Sequence, residues 1–182
     1  MRWHKMGACA FGRVAQRMGG KADLALATDV INRRQVRRLT ETISDLISSG
    51  VVAVLGLSYK PHTPVIEESQ GIMLAKALAM EGFEVVAHDP MALGPAQAVL
   101  GATVKLVPSA QGAVSQADVV VIVTPWADYA SISSEWVANG RTRFIIDCWR
   151  QLDQPQFPEH CKIVRLGHQE TISAAAKRVA AE

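Results

Sequence analysis

A chain of 182 residues, 49% hydrophobic and 20% charged, is long and apolar enough to bury a full core, which excludes a disordered polypeptide except at its ends. A net charge of +2 selects no class of partner, and no apolar run is long enough to span a bilayer. Cys9, Cys148 and Cys161 are odd in number and lack CxxC spacing, which argues against a disulfide frame or a zinc site and for reduced thiols in the cytoplasm.

The opening "MRWHKMGACAFGR" lacks the apolar stretch of a signal peptide. Residues 23–49 contain no glycine or proline. Within them Leu24, Ile31, Leu39, Ile43 and Leu46 recur at spacings that predict one apolar side of a helix, with Gly50 as its stop. Such a helix is about 40 Å long. One small domain does not cover that length, so a two-fold homodimer packed through residues 23–48 is expected, and removing residues 1–48 is expected to leave a monomer that keeps its sheet. The segment "NRRQVRR" places Arg33 next to Arg37 and Arg34 next to Arg38. Glu41 and Asp45 continue the face and nothing aromatic interleaves, so it reads as a solvated or subunit-contact face and not as a nucleic-acid site.

After Gly50 short β-branched runs alternate with helical patterns: residues 51–57, 84–88, 103–106, 119–124, 143–147 and 162–166. Between the first two lies the helical run "SQGIMLAKALAMEGF", with Ser69 as its N-cap and Gly82 as its close. The runs are too uniformly apolar for one-sided antiparallel strands. They predict a doubly wound α/β domain with a mostly parallel, Rossmann-like sheet, preceded by the long helix. The expected division is a helical region 1–49 and a Rossmann-like sheet domain 50–182, whose tail "QETISAAAKRVAAE" reads as a final helix.

In such a sheet ligands sit outside the carboxyl ends of the strands, where strand order reverses. That point falls between strands 51–57 and 119–124, so "SYKPHTPVIEES" and "TPWADY" face one crevice, with "DCWR" (147–150) as third neighbour. Lys60 is the candidate anion contact, against the plain alternative of a solvated loop lysine. Tyr59 and Trp126 either flank a base or sugar ring or belong to the core. Asp89, in "VVAHDP", either accepts ribose hydroxyls or makes a turn before proline; without the glycine fingerprint GxGxxG the turn is favoured. Cys148 and Cys161 have no activating base nearby in sequence and read as structural thiols. HExxH, GxSxG and GxxxxGK[ST] are absent.

"VAVLGLSYKPHT…ES" resembles the start of the C-terminal domain of the UDP-glucose/GDP-mannose dehydrogenase family, GLSYKPDTDDxRES. "TPWADY" is similar to the family's TEWxEF, "DCWR" stands where it has DxRN, and "TDVINRRQVRRL" looks like its long central helix with a VNxxQ pattern. The resemblance covers roughly residues 10–170, with four motifs in order. It implies an enzyme that oxidises a nucleotide-sugar alcohol to a carboxylate with two NAD per product. An N-terminal Rossmann domain would bind NAD, the domain seen here would hold the nucleotide end of the substrate, and the central helix would form the dimer. Carried over, Lys60 contacts the nucleotide sugar with Tyr59 packed beside it, while Trp126 and Arg150 converge on the same point.

The departures are specific. Glu67 stands for the family's arginine, Pro64 and Val65 for its paired aspartates and His62 for the acid after Lys-Pro, while Arg150 falls one place late with Trp149 in its slot. The family's thiol nucleophile lies in a GxCxPKD-like segment. Cys9, in "MGACAFGRV", is the one candidate; it lacks the Pro-Lys-Asp and lies too close to Asn32, so no catalytic residue is expected. The resemblance implies the C-terminal part of a nucleotide-sugar 6-dehydrogenase, inactive alone, with a UDP- or GDP-sugar as partner and NAD not tightly bound. The alternative is a stand-alone nucleotide-binding or dimerising module.

Overall fold

The computed structural model describes residue 12 and residues 14–166; Cys9 and the expected tail helix lie outside them. Helix α1 (Asp23–Leu46) leads into β1 (Val51–Leu55), α2 (Gln70–Met80), β2 (Glu84–His88), α3 (Leu93–Leu100), β3 (Lys105–Leu106), α4 (Ala110–Val114), β4 (Val119–Ile122), β5 (Phe144–Asp147) and β6 (Lys162–Arg165). Short 3₁₀ turns lie at Ala127–Ser131, Ser134–Val137 and Gln154–Gln156. The six strands form one sheet in the order β3-β2-β1-β4-β5-β6, every pair parallel. This is the Rossmann-like order, with its reversal between β1 and β4.

The strands read as unbroken apolar runs because both faces are covered. Val52 and Val54 of β1 point into one core with α1, α2 and α3, whereas Val51, Ala53 and Leu55 point into the other with α4 and the 3₁₀ turns. Strand β4 divides the same way, Val119 and Val121 against Val120 and Ile122. Several strands stop short of their expected ends. Gly56 takes φ +103, which turns the chain out of β1 before Leu57, and Thr124 leaves β4 to hydrogen-bond back across the crevice.

Helix α1 departs from expectation in a more consequential way. Leu39, Ile43 and Leu46 are buried with Val36 against Leu74, Ala75 and Leu78 of α2. Leu24 and Ile31, read as the same stripe, are instead 83% and 54% exposed. A seven-residue step falls about 20° short of two full helical turns, and the buried face at this end runs through Ala25 instead. The C-terminal half of α1 therefore belongs to the core of the sheet domain, and the sheet is not expected to survive loss of residues 1–48 intact.

Candidate functional site

The carboxyl ends of β1, β4 and β5 open onto three loops that are stitched to one another. After β1, the carbonyl of Ser58 accepts from Thr124 Oγ1 at 3.0 Å, tying the first loop to the second. From the β5 loop, Trp149 Nε1 donates to the carbonyl of Val123 at 2.9 Å and Gln151 Nε2 to that of Trp126 at 3.3 Å. Asp147, fully buried at the end of β5, shapes that loop by accepting from the amides of Trp149 and Leu152.

Glycine permits the close approach on the β1 side. A Cβ on Gly56 would overlap Thr124, and one on Gly71, in the first turn of α2, would overlap the carbonyl oxygen of Gly56. Helix α2 thus enters directly against the end of β1, capped by Ser69 Oγ, which accepts from the amide of Ile72. The glycine fingerprint is present in stretched form, with the excursion 57–69 inserted between its first turn and its helix. Gly71 was the available sequence signal, and its distance from Gly56 concealed it.

That excursion folds on itself: the amide of Tyr59 donates to the carbonyl of Val65 at 2.7 Å and that of Ser69 to Ile66 at 3.0 Å. It leaves Lys60, His62 and Glu67 exposed and Tyr59 half-buried. Arg150 is exposed on the β5 loop. Among the described residues neither Lys60 nor Arg150 forms an ion pair. Trp126 is only 5% exposed; its indole N–H reaches Ser58 Oγ and Asp89 Oδ2, both at 3.2 Å, and His62 stands edge-on to its ring at 5.3 Å. Tyr59, Lys60 and Arg150 therefore lie on the loops that leave the carboxyl ends of β1 and β5, whereas Trp126, after β4, is a core residue in one buried cluster with Leu55, Val120 and Ile122. Among the described residues the non-glycine positions with positive φ, His62, Glu68 and Arg150, all lie in these loops; backbone strain of this kind clusters at ligand clamps and switch regions.

Asp89 does more than the turn expected of it. Its Oδ1 accepts from the amides of Met91 and Ala92, as a turn aspartate does, while its Oδ2 crosses to the first loop. Beneath it Tyr129 donates to the carbonyl of His88 at 3.0 Å and lies 3.3 Å from His88 Nδ1. Burial holds the His88 imidazole below its ordinary value and pushes the Tyr129 hydroxyl well above its own, so both stay neutral. Cys161 is buried and its thiol is pushed up to about 11, an unreactive state. The described residues contain no group of three or more His, Cys, Asp or Glu side chains suited to a metal, and no helix among them is long and apolar enough to cross a membrane.

Residues 53–154 match the family model described as the UDP-glucose/GDP-mannose dehydrogenase family, UDP binding domain. A UDP-glucose 6-dehydrogenase of Pseudomonas aeruginosa is 32% identical over 145 residues, covering 74% of this chain and 32% of that protein. A second, from Haloferax volcanii, is 31% identical and covers 73% of this chain and 31% of its own length. The solved structure of a UDP-glucose dehydrogenase from the archaeon Pyrobaculum islandicum superposes with a TM-score of 0.67 at 29% identity, covering 88% of this chain and 35% of that one. The chain spans about a third of the length of the relatives it matches. With its parallel sheet order and a family match over more than half its length, this chain belongs to the UDP-glucose/GDP-mannose dehydrogenase family.

Proposed function

We propose that the crevice holds the nucleotide end of a nucleotide sugar, a UDP-sugar, as the C-terminal part of a cytoplasmic nucleotide-sugar 6-dehydrogenase. The observation that carries this reading is the pair of exposed cations, Lys60 and Arg150, on two loops of one crevice in a domain of this family. Their charges suit a pyrophosphate, and the half-buried Tyr59 offers a ring to the base or sugar. These loops and the first turn of α2 bury three acceptors without partners among the described residues, Glu68 Oε2, Gln70 Oε1 and Gln151 Oε1, which suits a ligand rich in hydroxyl donors. Glu67, exposed on the same loop, adds a negative charge that weakens the hold on a pyrophosphate.

NAD, the cofactor that the family implies, does not fit this crevice. The acid at the end of β2 is already saturated by protein donors, and the amides that follow Gly56 point at that acid. In an oxidation carried out with a cofactor-binding partner domain, the chain's own residues would bind and orient the substrate, since holding the nucleotide fixes where the sugar carbon lies.

The reading also includes a second copy of this chain as partner, packed against the uncovered Leu24, Val30 and Ile31 of α1. The crevice itself is tested by titrating UDP and following backbone amide shifts, with binding at roughly millimolar to high micromolar affinity expected. Shifts should concentrate in residues 57–69 and 124–128. Lys60→Ala should weaken binding roughly tenfold, the value of one charge-assisted hydrogen bond. Lys76→Ala, exposed on α2, should leave it unchanged. Shifts confined elsewhere reject the site.

A further inference from the structure

The geometry points to Asp89 as the positioning residue of this crevice: an internal carboxylate that fills the anion nest after β1 and holds the Lys60 loop in its binding conformation. Gly56 turns the chain so that the amides of Leu57 and Ser58 both donate to Asp89 Oδ2 at 2.8 Å. Ser58 Oγ donates to the same oxygen at 2.8 Å and Trp126 Nε1 at 3.2 Å. The other oxygen takes the amides of Met91 and Ala92, both at 2.9 Å. Every partner is a donor, they come from the β1, β2 and β4 loops, and the side chain is fully buried.

Two successive amides, a hydroxyl and an indole N–H aimed at one point form an anion site by the same chemistry that binds a phosphate at this turn of a dinucleotide fold. Here the anion is covalently part of the chain. A ligand therefore meets the rim, where Lys60 and Arg150 stand, and not the floor. Tyr59 and Lys60 follow Ser58 directly, so their placement depends on the bonds that Leu57 and Ser58 make to Asp89. This rests on the proposed nucleotide site for its effect on affinity, but the anchoring itself does not.

Asp89→Asn is the discriminating change, because an amide keeps one acceptor where the site presents donors to both positions. Ser58→Ala removes one donor and keeps the backbone amide, and serves if Asp89→Asn does not fold. Wild type and both variants are compared by circular dichroism, by amide and indole N–H resonances, and by UDP titration. In folded variants the Trp126 indole resonance should move upfield and the amides of residues 57–69 should shift or broaden. UDP affinity should fall roughly tenfold in Asp89→Asn if the competent loop drops to about a tenth of molecules, and less in Ser58→Ala. Folded variants whose loop amides and indole signal match wild type overturn the anchoring. A loosened loop with undiminished UDP binding overturns the positioning role. If wild type itself binds no UDP, the nucleotide reading fails, and the loop and indole signals alone still decide whether Asp89 is the anchor.

Discussion

Gly71 is a residue whose lack of a side chain sets the geometry of the whole crevice. A methyl group there collides with a backbone oxygen, which cannot rotate aside as a flexible side chain would. Gly71→Ala should therefore cost about 1–3 kcal/mol or more by pushing α2 away from β1, read as a lowered urea midpoint with an unchanged slope. His88 makes a second residue-level prediction. Its folded-state pKa is lowered by burial, against the opposing charges of Asp89 and Asp128, with the neutral Tyr129 packed against it. As pH falls through about 6.5 the unfolded chain takes up a proton that the folded chain refuses, so this group costs no stability above that pH and lowers it progressively below, until the folded pKa is reached. Between pH 7.5 and 5.5 wild type should lose more stability than His88→Gln; equal losses would remove His88 as the cause.

At the scale of elements, α1 has two halves with different duties. Val36, Leu39, Ile43 and Leu46 complete the core over α2, and burying the three largest of them contributes roughly 5–9 kcal/mol, comparable to the whole stability of a typical domain. Removing residues 1–31 should leave cooperative unfolding intact, whereas removing residues 1–48 should abolish it; a sharp thermal transition in the shorter chain would count against this assignment. The sequence told these elements apart unevenly. Strands buried on both faces announce themselves as apolar runs, so β1, β2, β4, β5 and β6 were legible to within a few residues. Helices α3 and α4 carry Gly94, Pro95 and Gly112 inside them and show little helical pattern. The candidate site was legible where it rests on loop position, as for Lys60 and Arg150. The bridging role of Asp89 was not, because its partners Ser58 and Trp126 lie 31 and 37 residues away and no local spacing encodes such a meeting.

For the whole molecule, the uncovered end of α1 carries a prediction about assembly. Leu24, Val30 and Ile31 face solvent while Arg34, Arg37 and Arg38 continue the exposed surface toward the C-terminal half. An apolar face of this kind on a lone chain invites association, and a two-fold pairing through it is expected. Light scattering at tens of micromolar, roughly the range where a stable interface is occupied, should report twice the chain mass. Leu24→Glu with Ile31→Glu should return it to a single chain without disturbing the core; a wild-type monomer at that concentration would reject the pairing.

The placement of β1 between β2 and β4 also dictates a timetable for synthesis. The first link between β1 and the β4 side joins Val51 to Asp118, 67 residues later. At the ribosome's pace of roughly 5–20 residues per second, β1 waits about 3–13 s for that neighbour, while β2, which starts at Glu84, follows it in about half that time. During that interval Val52, Ala53, Val54 and Leu55 present a bare apolar margin, the kind of strand edge that recruits other nascent chains. Codons that slow translation between residues 56 and 122 should therefore lower the soluble yield, whereas the same pauses after residue 122 should not.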